Sequence, residues 1–442
     1  MERILLTDLE NHIEKKVLIM GSINIRRDHG KLIFFEIRDL TGKLQVVILP
    51  SHPEVHQIAQ TIRPEWSVQV LGTVHERPRA MVKEGEQNGT LELEAEEITI
   101  LSKAQELPFE RGADVGIETY LDHLPFTLRA ERPRAIFKIQ ATIVQAFREF
   151  FNHNLFTEIQ APKIIGEDAE GGAQTFKTEY FGYQASLAQS PQFYKQIMVG
   201  VYERVFAIGN VYRAELHSTS RHLNEYTSLD AEMGFISDYT DITNIKTQFL
   251  HHLNTYLEKH VARELKLLNA TLPDIPKQIP QMKLREAQAL IEKETGQNIS
   301  NEPDLEPQHE RWIGTYAKEK LNSDFIFITH FPLSKRPMYT YEDPHDPGYA
   351  GGFDLLFRGL EITTGGQRIH DYEQLLRSME KKKLDPQKFS FYLQAFKYGM
   401  PPHGGFGTGL ERLTARLLGI ENVKEASLFP RDIHRIDTLL HS

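Results

Sequence analysis

The 442-residue chain has no cysteine, which excludes a disulfide scaffold, a thiolate zinc or iron–sulfur site and a cysteine nucleophile. It also has no apolar run of the ~18 residues that indicate a membrane-spanning helix. Its N-terminus lacks the basic and then apolar order of a signal peptide. These absences predict a cytoplasmic globular protein with no membrane partner.

Basic residues are also in short supply. The 51 Lys and Arg residues face 61 Asp and Glu residues, so the net charge is -10. Because non-specific affinity for nucleic acid comes from neutralising phosphates with Lys and Arg, this balance argues against a general polyanion binder. It leaves room for a protein that binds one nucleic acid through a local basic face.

Short β-rich segments separated by turns fill the first hundred residues. Five predicted strands, with a helix over about 53–63 between the third and the fourth, match an OB-fold barrel over residues 1–103. Residues 26–43 interleave basic side chains with Phe34 and Phe35, which suits the stacking of unpaired bases. For this segment alone, a solvated charged strand with one core phenylalanine is the alternative.

The rest of the chain mixes strands and helices without a βαβ rhythm, which predicts an α+β domain built on an antiparallel sheet. Residues 104–132 contain prolines and no sustained periodicity, so we interpret them as a linker. A helix with one apolar stripe begins near Pro133. The second domain is therefore predicted to span residues 133–442.

A glycine-rich run at residues 403–409 passes into a helix that begins with Leu410, Glu411 and Arg412. The chain has neither a GxxxxGK[ST] loop nor a GxGxxG after a strand, so this run is the candidate phosphate site. Glycines allow close backbone approach, and a guanidinium can hold a phosphate with two parallel hydrogen bonds. A helix end packed tightly on a sheet is the alternative.

Charged residues also interrupt two predicted strands upstream, at Arg213, Glu215, Arg221 and Asp230. Charges in core strands cost free energy unless they meet a charged ligand. We therefore interpret this region as a binding site.

A hairpin is predicted around Arg358 and Gly359. With a two-residue turn, position 354 faces 363, so Asp354 and Glu361 share one face as diagonal neighbours. Two carboxylates so placed can bind Mg²⁺ together with phosphate oxygens. Two solvated acids on a surface hairpin are the alternative.

In combination, these motifs resemble the class II aminoacyl-tRNA synthetases with an N-terminal OB-fold, and within that subgroup the aspartyl-tRNA synthetases of the archaeal and eukaryotic type. The resemblance covers nearly the whole chain. It depends on a helix and strand ending at Pro162, on Arg213-Ala214-Glu215, on Gly407-x-Gly409-Leu410-Glu411-Arg412, and on residues 189–196, 219–225 and 399–405.

The resemblance implies that Arg213, Arg412 and Glu361 are catalytic, with Arg213 on the α-phosphate and Arg412 on the γ-phosphate of ATP. Magnesium would be bound by Asp354, Glu361 and the hydroxyl of Thr364, where the family more often has serine. The residues implied to bind ATP are Arg213, Glu215, Arg221, His222, Leu223, Tyr226, Glu361, Gly409, Leu410, Glu411 and Arg412.

The implied amino acid is L-aspartate. Arg368 can hold its side chain bidentately, and Lys195 adds a positive charge that an asparagine amide would not need. Asparaginyl relatives typically have an apolar residue at position 195 and glutamate at position 230. The residues implied to bind aspartate are Glu170, Gln192, Lys195, Arg213, Asp230, Thr364 and Arg368.

For the barrel, the resemblance implies anticodon binding by Arg26, Phe34, Arg38 and Gln45. The chain would be a homodimer that transfers aspartate to tRNA-Asp. Charging of tRNA-Asn stays open, although the lack of a tryptophan in residues 21–25 favours it. The alternatives are an asparaginyl-tRNA synthetase, a non-catalytic tRNA-binding paralogue, and an asparagine synthetase derived from the same catalytic core.

Overall fold

The computed structural model describes residues 1–167, 174–216 and 218–440. It divides the chain into two compact units, Met1–Ala113 and Asp114–Ser442. Across the described residues, every helix is too short or too polar to cross a membrane.

The N-terminal unit is a closed five-stranded barrel in the order β1-β2-β3-β5-β4. The predicted number of strands and the position of the helix between the third and fourth are confirmed. Burial alternates along the strands because successive side chains point to opposite faces, and the inward apolar residues fill the barrel. The elements are β1 (Lys16–Asp28), β2 (Ile33–Arg38), β3 (Lys43–Ile48), α1 (Pro53–Thr61), β4 (Ser67–Glu76) and β5 (Leu91–Ser102).

The second unit is built on an eight-stranded sheet in the order β12-β13-β14-β15-β16-β11-β10-β6, with a separate three-stranded sheet in the order β7-β9-β8. Most neighbouring strands are antiparallel, which confirms the predicted α+β class. The strands are β6 (Thr157–Glu158), β7 (Ile164–Ile165), β8 (Lys177–Tyr180), β9 (Tyr183–Leu187), β10 (Arg204–Tyr212), β11 (Glu225–Gly234), β12 (Gln281–Lys283), β13 (Phe325–Thr329), β14 (Gly352–Phe357), β15 (Leu360–Arg368) and β16 (His403–Gly409).

Helices flank this sheet, and two short ones lie within the stretch that we expected to be a linker. The helices are α2 (Ile117–Asp122), α3 (Leu124–Thr127), α4 (Glu131–His153), α5 (Gln192–Tyr202), α6 (Tyr239–Leu267), α7 (Leu284–Thr295), α8 (Pro307–Leu321), α9 (Tyr372–Lys381), α10 (Ser390–Lys397) and α11 (Leu410–Leu417).

One face of the large sheet is sealed by α4 and α6. The predicted apolar stripe of α4 is buried there against Phe249 of α6 and Phe406 of β16. Leu229 and Ala231 of β11 belong to the same core. Because alternate strand residues point to opposite faces, Asp230 and its alternate neighbours lie on the other face, where a cavity opens.

The β14–β15 hairpin has the predicted two-residue turn. Arg358 and Gly359 have positive φ angles of 46° and 73°, as a type I′ turn requires, and Phe357 pairs with Leu360 across it. Gly359 adopts this conformation without the steric cost that a Cβ imposes, so the local sequence favours a turn here.

The predicted register beyond the turn was wrong, because β15 contains a bulge. Leu355 pairs with Thr363, and Asp354 pairs with Thr364 rather than with position 363. Ile362 is the extra residue, and one extra residue reverses the faces of all that follow. The bulge places Thr364 on the face that carries Asp354 and Glu361.

Candidate active site

A cavity of about 1140 Å³ opens on the face of the large sheet opposite α4 and α6. Its volume exceeds the roughly 300–1,000 Å³ that is typical of a site for one small molecule. Most of the implied site residues meet here, although they come from elements far apart in sequence. Those that line the cavity are Gln192, Lys195, Arg213, Glu215, Arg221, His222, Leu223, Tyr226, Asp230, Glu361, Thr364, Arg368, Gly409, Glu411 and Arg412.

Two of the implied residues do not line the cavity. The side chain of Leu410 packs in the hydrophobic core with 4% exposure, which leaves it no contact with a ligand in the cavity. Asp354 is buried beside the cavity. Glu170 lies outside the described residues.

The floor of the cavity is a cluster of four buried charged side chains, Lys195, Arg368, Asp230 and Glu232. The Lys195 ammonium lies 3.0 Å from Asp230 Oδ1 and 3.2 Å from Glu232 Oε2, and it donates to the Phe406 carbonyl oxygen. Arg368 Nε donates to Glu232 Oε1 at 2.9 Å. Each of the four residues is at most 7% exposed, so water contributes little to their solvation.

The charges of this buried cluster balance. Burial raises the pKa of Glu232, but the neighbouring Arg368 and Lys195 outweigh that effect and lower it, so Glu232 is ionised. Burial lowers the pKa of the adjacent His403 to about 4, which leaves that imidazole neutral. Two cations therefore face two carboxylates.

Glu232 was not among the site residues predicted from the sequence, although a signal was present. Glu232 stands two residues after Asp230, so both carboxylates lie on the same face of β11. Gly405 on the paired strand makes room for this side chain, because a Cβ there would collide with the Glu232 carboxylate and the Ala231 carbonyl oxygen.

A network of buried amides fixes Gln192 at the edge of this cluster. Its Nε2 donates to Gln196 Oε1 at 3.0 Å, and Tyr392 donates its hydroxyl proton to the same oxygen. Gln196 Nε2 lies 2.9 Å from His403 Nε2, which accepts as a neutral imidazole. Gln192 therefore has one preferred orientation beside the charged floor.

A second wall of the cavity combines an arginine, an aromatic ring and a carboxylate. The Arg213 guanidinium lies 5.8 Å from the centre of the Tyr226 ring and 3.9 Å from Glu215 Oε1. His222 Nε2 lies 3.8 Å from Glu215 Oε2. This wall offers a flat aromatic surface bordered by positive charge.

Two further arginines meet where α11 approaches the hairpin. Arg412 donates from NH1 to the Glu361 carbonyl oxygen at 3.1 Å, and from Nε to the Arg221 carbonyl oxygen at 3.4 Å. Arg221 is held in turn by Glu310, whose Oε2 lies 2.5 Å from its NH2 atom. Glu310, which the sequence did not single out, thus orients one of the predicted phosphate ligands.

Glu411 joins the start of α11 to β11. Its carboxyl oxygens accept from the Thr227 backbone N–H at 3.0 and 3.1 Å. Burial raises the pKa of Glu411 to about 7. This residue positions Arg412, its neighbour in the chain, relative to the sheet.

The carboxylates of Asp354 and Glu361 fit a divalent cation. Thr364 donates its hydroxyl proton to Glu361 Oε1 at 2.8 Å, and Arg336 donates to Asp354 Oδ2 at 2.8 Å. Asp354 Oδ1 is buried and has no hydrogen-bond partner among the residues that the structure describes. Burial raises the pKa of Asp354 to about 7 and Glu361 adds to the rise, while Arg336 opposes it. A metal ion bound to Asp354 Oδ1 would give this oxygen a partner, and its positive charge would stabilise the ionised carboxylate.

On the barrel, Arg38 is not available as predicted. It is 9% exposed, and its NH1 and NH2 atoms donate to the two carboxylate oxygens of Glu65 at 2.8 and 2.7 Å. Such a buried bidentate pair fixes the guanidinium in the barrel wall. Arg38 is therefore a structural residue here and not a base contact.

Two of the other predicted barrel residues, Phe34 and Gln45, lie beside the same arginine, Arg27. Phe34 is partly exposed and pairs with Arg27 on β1, and Arg27 donates to Gln45 Oε1 at 3.1 Å. Arg26 is ion-paired with Asp28 at 2.7 Å. The arginine beside Phe34 and Gln45 is therefore Arg27, which was not predicted as an anticodon residue, and not Arg38.

Two family models match the chain. The model described as tRNA synthetases class II (D, K and N) matches residues 116–433, and that for an OB-fold nucleic acid binding domain matches residues 17–101. The Aspartate–tRNA(Asp/Asn) ligase of Thermus thermophilus is 44% identical over 98% of this chain and 99% of its own length.

Two further relatives have different stated specificities. The Aspartate–tRNA(Asp) ligase of Thermococcus kodakarensis is 37% identical, over 96% of each chain. The crystal structure of asparaginyl-tRNA synthetase from Pyrococcus horikoshii with asparaginyl-adenylate has a TM-score of 0.91 at 28% identity, covering 99% of each chain. From the extent of these matches and the residues gathered in the cavity, the chain belongs to the class II tRNA synthetases of the D, K and N group.

Proposed function

We propose that this protein is an aspartate–tRNA ligase. It activates L-aspartate with ATP to aspartyl-adenylate and then transfers the aspartyl group to the 3′ end of tRNA-Asp. The observation that carries the choice of amino acid is the neutral cluster of Lys195, Arg368, Asp230 and Glu232 on the cavity floor. The names of the T. thermophilus and T. kodakarensis relatives support it.

The charge balance of the cluster favours aspartate over asparagine. When Asp230 pairs with the substrate ammonium, Lys195 becomes available to the substrate side chain, while Glu232 keeps Arg368 in place. A β-carboxylate restores neutrality, whereas an amide leaves one buried cation without a counter-ion. An unpaired buried charge costs about 3–5 kcal/mol, which is enough to exclude asparagine.

ATP is placed by the two remaining walls. Its adenine stacks between Tyr226 and Arg412, with Glu215 accepting from the exocyclic amino group. Arg213 holds the α-phosphate, and Arg221 and His222 hold the outer phosphates. These roles require cations near an aromatic surface, which is the arrangement that these side chains have.

Activation needs no nucleophile or general base from the protein. The substrate α-carboxylate attacks the α-phosphorus in line, and pyrophosphate leaves. Arg213 stabilises the charge that develops on the transferring group, and Arg412 neutralises charge on the leaving group. Asp354, Glu361 and Thr364 would hold Mg²⁺, which when bound supplies further positive charge to the phosphate oxygens.

The deciding experiment is ATP–pyrophosphate exchange with the Arg213→Ala variant. We expect aspartate-dependent exchange in the wild-type protein and its loss, by at least about 10²-fold, in the variant with the fold intact. The matched control is Arg311→Ala, which removes an exposed arginine of α8. Near-normal exchange in Arg213→Ala would refute the assigned role, and a wild-type protein that activates asparagine instead would refute the amino acid.

We further propose relaxed tRNA specificity, with tRNA-Asn as a second acceptor. The names of the T. thermophilus and Deinococcus radiodurans relatives, each 44% identical, include both tRNAs. The test is aspartylation of tRNA-Asp and tRNA-Asn transcripts side by side. If no aspartate is attached to tRNA-Asn, the proposal of relaxed specificity is refuted and only the reaction with tRNA-Asp stands.

For the barrel we propose anticodon binding, with Phe34 stacking on a base and Arg26, Arg27 and Gln45 near base edges. We also propose a homodimer. β6 is a short edge strand of the large sheet, and an open edge is a site for pairing with a second copy. Molecular mass in solution, measured by light scattering, tests the dimer.

A further inference from the structure

Lysines collect at the mouth of the catalytic cavity, in a protein whose net charge is -10. Lys335, Lys381 and Lys382 line the cavity and form what we call the lysine rim. The surrounding segment, residues 377–388, carries five basic and two acidic residues. None of these three lysines has a role in the proposed binding of ATP or aspartate.

The rim is held in place by the protein. Lys382 donates to the carbonyl oxygens of Leu333 and Ser334 at 3.4 and 3.2 Å, which fastens the loop bearing Lys335 to the end of α9. Lys335 and Lys381 are exposed on either side of this connection. The backbone segments that carry Lys335 and Lys381 are therefore held next to each other.

The two outer lysines, Lys335 and Lys381, have no counter-ion in the described part of the chain. Among the described residues, neither Lys335 nor Lys381 forms an ion pair or a hydrogen bond with a carboxylate. The nearby Asp371 and Asp385 instead accept backbone N–H bonds at the starts of the next helices, from Gln374 and Gln387. Unpaired cations held at a cavity mouth attract an anionic partner.

We propose that the lysine rim binds the phosphodiester backbone of the single-stranded 3′ end of the tRNA. This inference rests on the proposed ligase function, because the terminal ribose must enter the cavity and the nucleotides before it must cross the mouth. Each of those nucleotides carries one negative charge, which the acidic surface of the protein would otherwise repel. Lysine suits this task because a flexible point charge reads phosphate without reading sequence.

The ATP phosphates are the competing ligand for these lysines. The proposed ATP residues come from the strands and loops around β11 and from α11, whereas the rim comes from the loop before β14 and the end of α9. The three rim lysines therefore belong to different elements from the residues proposed to bind ATP. Kinetic measurements distinguish ATP binding from tRNA binding, because the activation step requires ATP and aspartate but no tRNA.

The test is the double variant Lys335→Ala/Lys381→Ala, with Lys382 kept because it holds the loop. We expect unchanged KM values for ATP and aspartate in pyrophosphate exchange, and a KM for tRNA-Asp in aspartylation raised roughly 3- to 10-fold. The salt slope of tRNA binding should fall by about 1–2, since each single-strand phosphate contact contributes about 0.7. The matched control, Lys259→Ala/Lys320→Ala, removes exposed lysines of α6 and α8 that lie outside the cavity lining.

A shortened tRNA locates the contact. Removal of the single-stranded 3′ nucleotides should weaken binding to the wild-type protein and should have little effect on the double variant. An unchanged KM for tRNA, equal losses with full and shortened tRNA, or a raised KM for ATP would overturn the rim proposal. Absence of aspartate-dependent exchange in the wild-type protein would instead overturn the proposed function.

Discussion

Replacing Lys195 by methionine tests the charged floor directly. The substitution keeps an unbranched chain of similar length and removes the ammonium. Asp230 and Glu232 then face each other with only Arg368 as a counter-ion. The side chains of Lys195, Asp230 and Glu232 are 2%, 3% and 0% exposed, so water cannot replace the lost charge.

The expected loss of stability is large for a single substitution. Removing one partner from a buried ion pair costs about 3–5 kcal/mol, whereas exposed pairs contribute about 0–1 kcal/mol. For a unit of this size, that loss lowers Tm by roughly 4–7 °C. Thermal unfolding followed by calorimetry measures it, with Lys293→Met as the control, since Lys293 and its partner Glu294 are exposed.

A double variant separates charge from packing. Asp230→Asn in the Lys195→Met background removes one carboxylate, so it should recover about 1–3 kcal/mol relative to the sum of the single changes. The same Lys195→Met variant should lose preference for aspartate over asparagine in pyrophosphate exchange. A Tm equal to that of the control variant, or strictly additive losses, would refute the account of the floor as one coupled charge cluster.

Three further changes probe other parts of the molecule. Because burial raises the pKa of Glu411 to about 7 from its ordinary 4.5, the folded state binds more protons than the unfolded state between those values, and stability falls as pH rises through that window. Glu411→Gln should therefore gain about 3 kcal/mol relative to wild type between pH 4.5 and 8, and parallel unfolding curves would contradict this. Thr364→Ser should leave the Mg²⁺ dependence of exchange unchanged, while Thr364→Val should raise the Mg²⁺ requirement about 10-fold; equal behaviour of the two would exclude the hydroxyl as a ligand. Phe34→Ala should weaken tRNA binding by about 1–3 kcal/mol, and so raise the KM for tRNA, without affecting pyrophosphate exchange. An unchanged KM would show that Phe34 is not part of the anticodon site.

Much of the fold could be predicted because its signals are local. Alternating apolar residues and turn residues indicated the five barrel strands, and an apolar stripe indicated α4. Arg358 and Gly359 have the positive φ angles of the two-residue hairpin turn that was predicted at these positions. The family, too, could be inferred from short motifs, because these keep their residue types and order.

The failures concern partners that lie far apart in sequence. Arg38 appeared to be a basic side chain among aromatics, yet its partner Glu65 stands 27 residues away. Because of the bulge at Ile362, Thr364 and not Thr363 lies opposite Asp354. Strand register depends on the neighbouring strand, so the propensities of these residues could not predict it.

The two-part architecture, the family and the types of charged residue that reach the site follow from the amino-acid sequence alone. The pairing of those charges depends on the folded chain. Lys195 contacts Asp230 across 35 residues and Phe406 across 211, and Arg221 contacts Glu310 across 89. Such contacts depend on strand register, on helix packing and on small residues such as Gly405 that let a carboxylate approach. Those features arise from the packing of the whole sheet, because burying many side chains together stabilises a geometry that no single segment specifies.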